Sequence, residues 1–457
     1  MKKAVILAAG KGTRMKSSHP KVVHKVCGKE MVNHVIDASD KAGVDETIVV
    51  LGHGIEEVKS ILGKDVKTVV QKEQLGTGHA VMMADEYIGD EDTVVVLCGD
   101  TPLIVSETLV KFFDYHDCGG YAVTVLTTKV DNPTGYGRVI RDQTGNLLKI
   151  VEQKDANEEE KAVNEINSGI YCFNGKYLKE SLKKIDNKNA QGEYYLPDSI
   201  EIIRMSGGKA GAFLGASIEE LMGVNSRIQL SDAEKIMRRR INELHMVNGV
   251  TIIDTDSTYI DSDIEIGSDT IIFPGCMISK GSKIGSGCKI GPYASIENSV
   301  IGNDTSVKKS EIIDAVVGDE TTVGPFAYLR PNANIGNNCK IGDFVEVKNA
   351  IFGDGSKASH LSYIGDAEVG KNVNIGCGVV FVNYDGKNKF KSIVKDNAFL
   401  GSNSNLVAPL IIEEDTFIAT GSTITEDVPN GCLAIARERQ VLKAGWVEKK
   451  RKRDEEK

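Results

Sequence analysis

Between Ile266 and Ile424 an aliphatic residue recurs at every sixth position, a period that fits neither an ordinary helix nor an ordinary strand. One run reads Ile266, Ile272, Ile278, Ile284, Ile290, Ile296; a second, shifted in phase, reads Val317, Val323, Leu329, Ile335, Ile341, Val347; a third reads Leu400, Leu406, Ile412, Ile418, Ile424. The fourth residue after most of these aliphatics is small, as at Thr270, Cys276, Ser282, Cys288, Ala294, Thr321, Ala327, Ala333 and Cys339. Glycine often follows the aliphatic directly, as at Gly267, Gly285, Gly291, Gly336 and Gly342. Each step therefore reads as a short strand and a tight turn. One coil of such steps cannot bury its own aliphatics, so coils must stack, with the small residues filling the corners, and the expected architecture is a parallel β-helix.

The hand of the helix is not set by the period, because the general preference is for right-handed crossovers. This segment resembles the hexapeptide-repeat family, which winds left-handed with three hexapeptides per coil, and the left hand is what that resemblance implies. The repeat begins late in a chain of 457 residues, so a different domain precedes it. From residue 3 to about 130 apolar runs (Ala4 to Ala8, Thr47 to Leu51, Thr93 to Cys98) alternate with amphipathic stretches, which predicts an α/β domain, Rossmann-like, with a mainly parallel sheet and ligands at its carboxyl edge. Ile228, Leu230, Ile236, Ile241 and Leu244 stand among charged residues with no Gly or Pro, which predicts a linking helix. The expected division is 1–226 for the sheet domain, 227–247 for the linker and 248–457 for the β-helix, ending in a polar tail that carries Trp446. The last repeat is expected to end near Ile424.

Composition narrows the class. A hydrophobic content of 41% with 26% charged residues describes a water-soluble globular chain with no membrane span. The apolar run after Met1 is too short for a signal peptide, and Lys11 and Arg14 follow at once. The nine cysteines form no CxxC pair and read as reduced thiols of a cytoplasmic protein. A net charge of -10 argues against nucleic-acid binding, and the basic cluster Lys449 to Arg453 reads as a solvated tail.

The first strand runs into Leu7-Ala8-Ala9-Gly10-Lys11-Gly12-Thr13-Arg14-Met15, with Pro20-Lys21 beyond. A glycine-rich turn after a buried strand presents N–H groups to phosphate, and Arg14 and Lys21 can neutralise its charge. There is no third glycine for a dinucleotide fingerprint and no Walker spacing. The motif closely resembles that of the sugar-nucleotide pyrophosphorylases. By that resemblance Leu7, Ala8, Ala9, Gly10 and Lys21 hold the nucleotide, and Gln71, Gly76 and Thr77 form the uracil-reading loop. Gly137, Glu152 and Asn167 contact the sugar, while Asp100 and Asn225 hold Mg2+. Alone, each such residue is more often a cap or a turn; it is their order along the chain that carries the reading.

Beyond residue 247 the chain has one histidine, His360. A lone histidine is usually structural. Here Arg330 and Lys348 are cations suited to a sugar phosphate, Tyr363 is a hydrogen-bonding hydroxyl, and Asn383-Tyr384-Asp385-Gly386 opens a loop bearing Lys387, Lys389 and Lys391 that interrupts the period. Taken together, nearly the entire chain resembles the bifunctional bacterial enzymes that make UDP-N-acetylglucosamine for peptidoglycan. That resemblance implies His360 as general base and Arg330, Lys348, Tyr363 and Asn374 as binders of glucosamine 1-phosphate. It also implies Cys377, Asn383, Tyr384, Ser402, Thr420 and Arg437 around acetyl-CoA. UTP, acetyl-CoA and amino-sugar phosphates are then the small-molecule partners, Mg2+ the cofactor and a homotrimer the assembly. Cys377 and Thr420 replace the alanines usual in the family. Two rival readings are a monofunctional pyrophosphorylase whose β-helix only assembles or regulates, and a scaffold with a decayed catalytic fold. Arg14, Lys21, Asp100 and Asn225 oppose the scaffold, and Arg330, Lys348, His360 and the Asn383 loop oppose the monofunctional enzyme.

Overall fold

A computed structural model describes residues 1–456. The chain forms two compact units, Met1–Arg240 and Ile241–Lys457, and the helix Arg227–Val247 runs through the boundary.

The first unit is built on a nine-stranded sheet. Its central strand, Lys2–Ala8, is buried along most of its length because it lies between two parallel neighbours, Glu46–Leu51 and Thr93–Cys98, with helices over both faces. The pleat divides its side chains: Ala4, Ile6 and Ala8 face the layer holding Val32, Val35, Leu109 and Phe112 of the helices Met31–Lys41 and Ser106–Gly119. Val5 faces the opposite layer, with Val81, Leu178, Ile200 and Ile203 of the helices Thr77–Met82, Gly175–Leu182 and Asp198–Met205. The sheet continues outward through Lys67–Val70 on one side and through Glu165–Asn174, Val123–Lys129 and Ala210–Leu214 on the other. It is mainly parallel, as the alternating pattern predicts. The exceptions are Glu165–Asn174, which is antiparallel to Thr93–Cys98 and Val123–Lys129 and shifts register between Asn167 and Tyr171, and the antiparallel pair Arg138–Arg141 and Leu147–Val151 attached to it. That irregularity leaves residues 168 to 170 off the ladder, directly after Asn167.

In the second unit most short strands pair in parallel with the third strand after them: Thr251–Ile252 with Ile271–Ile272, Tyr259–Ile260 with Met277–Ile278, Glu265–Ile266 with Lys283–Ile284. Three strands therefore make a coil, and the result is a 26-stranded sheet wound into a β-helix. In most two-residue strands the second residue is the buried aliphatic, so Ile272 stacks on Ile290 and Ile278 on Ile296. The small residues between them are buried as expected, and the polar ones do more than save space. The Thr270 hydroxyl donates to the Gly285 carbonyl at 2.8 Å and accepts from the Cys288 amide at 3.0 Å, and Thr321 repeats the pattern with Gly336 and Cys339. Corner backbone groups that would otherwise be orphaned are satisfied in this way.

The regular steps give way to two long strands, Lys340–Phe352 and Lys357–Val369, paired in register along their length. The Asn383 loop folds back on itself, with the Phe390 amide donating to the Asn383 carbonyl at 2.8 Å. Two features depart from the sequence reading. A further strand, Leu433–Ala434, pairs with Phe417–Ile418, so the coil continues past Ile424 and beyond Pro429 and Gly431. The polar tail also holds a helix, Trp446–Glu455, because after Gly445 its Lys, Arg and Glu residues are good helix formers although they bury nothing.

Candidate functional site

The carboxyl ends of Lys2–Ala8 and Thr93–Cys98 meet at one edge of the sheet and set Leu7 to Gly10 beside Asp100. They line a cavity of about 300 Å3 together with Lys21, Gln71, Gly76 and Thr77, all expected nucleotide residues. Lys21 opens the short turn Lys21–Val23, and its ammonium donates to the Asp100 carboxylate and, at 2.9 Å, to Asn225 Oδ1. The Val224 amide donates to the Asp100 carbonyl at 2.8 Å, which fastens the Asn225 segment to the strand end although 204 positions separate Asn225 from Lys21. Two oxygen donors thus converge on one cationic point. Among the described residues no group of three or more His, Cys, Asp or Glu could hold a metal, so a metal here would draw most of its shell from phosphate and water.

Gln71 is buried, and its amide NH2 faces the Gly76 carbonyl at 3.2 Å and His79 Nδ1 at 3.1 Å. Gly76 has φ +112°, and a Cβ there would lie 2.6 Å from the Tyr194 carbonyl oxygen, so the turn requires glycine. Gly78 and Thr77 continue the attachment through the Tyr194 carbonyl and the Leu196 amide. Glu193 and Gln74 consequently line the same cavity, and the sequence reading missed both because the 193–196 segment reaches the site only through these long-range bonds. Arg14 is not among the lining residues; it is exposed on the turn Thr13–Met15.

A second cavity of about 250 Å3 shares Leu7, Thr77 and Cys98 with the first and contains Gly137, Glu152 and Asn167, the three expected sugar residues. Gly137 lets three segments converge: a Cβ would stand 3.1 Å from Glu152 Oε1 and 3.3 Å from Asn167 Cβ. Asn167 Oδ1 accepts from the Tyr171 hydroxyl at 2.9 Å and from the Gly169 amide at 3.0 Å, which orients the amide. Burial, with Asp155 nearby, pushes the Glu152 carboxyl upward. The Cys98 thiol, shared by both cavities, is pushed up to about 12 by burial and by Asp100, which leaves it without thiolate character.

In the β-helix, His360 lies opposite Asp343 across the paired long strands, with Nδ1 2.6 Å from the Asp343 carboxylate. Arg330 donates to Glu346 at 2.7 Å, and Tyr363 stands opposite Glu346 in the register. The Asn383 amide reaches the Asp366 carboxylate and stands 3.5 Å from the Tyr363 hydroxyl. The adjacent Lys389 ammonium, aided by slight burial and by Arg330, holds Lys348 below the usual lysine range. A cluster of cations that repel one another is suited to an anion. Lys389 and Lys391 also line a cavity of about 310 Å3 with Asn349 and Asp366. Asn374, Cys377, Ser402 and Thr420 lie on successive coils: the Gly376 amide bonds Leu400, the Asn403 amide bonds the Cys377 carbonyl, and the Gly421 amide bonds the Ser402 carbonyl. Asn374, Cys377, Tyr384, Thr420 and Arg437 are all exposed. Asp343, Glu346 and Asp366 were not foreseen. The signal that finds them is coil length, since Asp343 precedes His360 by 17 positions and Asp366 precedes Asn383 by 17.

Among the described residues no helix is long and apolar enough to cross a membrane. Residues 3–217 match the nucleotidyl transferase family, and residues 263–298 and 314–349 match the bacterial transferase hexapeptide repeat. The chain is 70% identical to the bifunctional protein GlmU of Clostridioides difficile (strain 630), over 99% of each chain. It is 59% identical to that of Caldanaerobacter subterraneus subsp. tengcongensis and 57% identical to that of Alkaliphilus metalliredigens, each over 98% of both chains. With nucleotidyltransferase and hexapeptide halves in the same order along its length, the chain belongs to the GlmU family of bifunctional transferases.

Proposed function

We infer that the chain makes UDP-N-acetylglucosamine in two steps: acetyl transfer from acetyl-CoA to glucosamine 1-phosphate, then uridylyl transfer from UTP to N-acetylglucosamine 1-phosphate with release of pyrophosphate. The observation that carries this reading is the full-length family match on a chain that retains both constellations, Lys21 with Asp100 and Asn225, and His360 with Arg330 and Lys348.

In uridylyl transfer the attacking sugar phosphate is already an anion, so alignment and charge stabilisation suffice and no base is needed. The amides of Leu7 to Gly10 hold the phosphates, and Lys21, with Arg14 moving in from its exposed turn, steadies the departing pyrophosphate. Gln71, Gly76 and Thr77 read uracil, while Gly137, Glu152 and Asn167 orient the acetylated sugar. Asp100 and Asn225 offer the oxygen donors that Mg2+ prefers, at a point where this structure already holds a cation, the Lys21 ammonium. When bound there, Mg2+ supplies charge neutralisation on the nucleotide phosphates.

In acetyl transfer Arg330, Lys348, Tyr363 and Asn374 hold glucosamine 1-phosphate, and His360 takes the amine proton as nitrogen attacks the thioester carbon. Cys377, Asn383, Tyr384, Ser402, Thr420 and Arg437 flank the coenzyme. The exposure of so many of these residues favours a homotrimer in which a neighbouring subunit completes the site. Nine cysteines, none of them in a disulfide among the described residues, favour a cytoplasmic location. Incubation with glucosamine 1-phosphate, acetyl-CoA, UTP and Mg2+, omitting each in turn, tests the reading. UDP-N-acetylglucosamine should appear only in the complete mixture, and its absence there would overturn the proposal.

A further inference from the structure

We propose that Asp343 is a positioning residue for acetyl transfer, accepting the Nδ1–H of His360 and so fixing the imidazole in the tautomer whose lone pair is on Nε2. The proposal rests on His360 being the base. An ionised carboxylate has no proton to give, so the 2.6 Å contact requires that Nδ1 carry the hydrogen. In a neutral imidazole the other nitrogen then has the free lone pair. The Asp343 carboxyl is held below the usual range first by His360 and then by its own backbone amide, with Lys340 also contributing, so it stays an acceptor.

The pair is held by the fold rather than by the strength of the contact. Both side chains are partly exposed, 58% for His360 and 39% for Asp343, and such pairs add little to stability. What fixes them is the ladder. Asp343 and His360 are register partners, as are Ile341 with Ala358 and Val345 with Ser362, so each backbone is anchored on both sides of the contact. Gly342 packs against the Ser359 backbone too closely to admit a side chain, and the Ser362 hydroxyl donates to the His360 carbonyl at 3.0 Å. Phe344 and Leu361 follow the pair with φ +56° and +42°, so both coils turn at the same level.

The step balances without a further reactant. As the amine nitrogen bonds the acetyl carbon its proton moves to Nε2; the carbon–sulfur bond breaks, and the same proton passes to the departing thiolate. Through both transfers the Nδ1 proton remains between His360 and Asp343, and Asp343 stays ionised. Selecting between two tautomers of similar energy takes only a weak contact held in place, which is what the ladder supplies.

The test is made on the full-length protein with 15N-labelled histidine, the His360 signals being assigned by their loss in His360→Gln. In mildly alkaline buffer the parent should show a protonated Nδ1 and an unprotonated Nε2. Asp343→Ala should shift the balance toward Nε2–H and lower the kcat of acetyl transfer by about 10- to 100-fold, with KM for glucosamine 1-phosphate unchanged and thermal unfolding unaltered. Asp343→Asn offers an NH2 donor as well as an acceptor oxygen, so it too should relax the tautomer balance and lower kcat, with KM and thermal unfolding as in the parent. Asp343→Ala with parental kcat, or with parental ring signals, overturns the proposal. If instead His360→Gln keeps full acetyl transfer, the base assignment itself fails, and that outcome is distinct because it does not depend on Asp343.

Discussion

The two halves of the chain build their sites in opposite ways. In the sheet domain, side chains from distant segments close around a concave edge: Lys21, Asp100 and Asn225 share one cationic point, and Gln71 is buried beneath the loop it braces. In the β-helix, residues one coil apart form an open column, and His360, Cys377 and Tyr384 remain exposed. In the first kind every proposed residue lies within one unit. One of the second kind has precise spacing along the axis and side chains exposed on it, which favours a second subunit at the proposed acetyl-transfer site and not at the uridylyl-transfer site.

The strongest way to sharpen this contrast is to silence each site separately. His360→Ala should lower acetyl transfer by roughly 10²- to 10⁴-fold, the usual worth of a positioned base, and leave uridylyl transfer at its parental rate. Asp100→Ala should do the reverse, because it removes the carboxylate of the proposed metal pair. Comparable acetylation by His360→Ala, or full uridylyl activity of Asp100→Ala at limiting Mg2+, would break the assignment.

A smaller effect separates two truncations. The first unit extends to Arg240, since Glu234 accepts from the Cys27 amide at 2.7 Å and Arg240 donates to the Leu103 carbonyl at 2.6 Å. A fragment ending at Arg240 should be monomeric and retain uridylyl transfer. One ending at Arg227 should unfold several degrees lower, having lost about 1–3 kcal/mol for each buried group left unsatisfied. Light scattering that found the longer fragment trimeric would put the assembly surface in the wrong half.

The pH response of that fragment follows from His116, which burial depresses from 6.5 to about 4 while its Nδ1 lies 2.8 Å from the Thr124 hydroxyl. Its folded value lies below its unfolded value, so the unfolded chain binds the extra proton. Stability is therefore complete above 6.5 and falls as pH drops toward about 4. The loss amounts to roughly 3 kcal/mol at the acid end. Thermal melts across this window should be steeper in the parent than in His116→Gln; equal slopes would contradict the assignment.

The smallest effect concerns Cys377. Burial pushes the thiols of Cys276, Cys288 and Cys339 upward, and they should resist a small maleimide, whereas Cys377 is exposed. The reagent should slow acetyl transfer selectively, bound acetyl-CoA should protect, and Cys377→Ala should stay active and resist. Inactivation of that variant at the parental rate would assign the effect to another thiol, with Cys118 and Cys432 also exposed.

What the sequence makes legible differs between the halves for the same physical reason. The repeat exposes the β-helix directly, because stacking a coil demands an aliphatic at each step. Local motifs likewise reveal Leu7 to Gly10 and Asp100, which follow strand ends, and Lys21, which opens the turn Lys21–Val23. Glu193 and Gln74 stayed hidden because no local pattern records that Tyr194 bonds across to Leu75 and Gly78. The reversed strand Glu165–Asn174 was also hidden, since strand direction leaves no trace in an apolar run. Asp343 and Asp366 were within reach, because adding one coil to each number leads to His360 and Asn383, but that spacing becomes meaningful only once strand pairing is known.

The separability of the two sites can be measured by mixing the two silenced proteins. With glucosamine 1-phosphate, acetyl-CoA, UTP and Mg2+, His360→Ala alone and Asp100→Ala alone should each make almost no UDP-N-acetylglucosamine. An equal mixture should restore its formation after a lag, as N-acetylglucosamine 1-phosphate made by Asp100→Ala reaches the intact uridylyl-transfer site of His360→Ala. A mixture as inactive as either variant, although each keeps its remaining single activity, would contradict the account of two independent sites joined by a released intermediate.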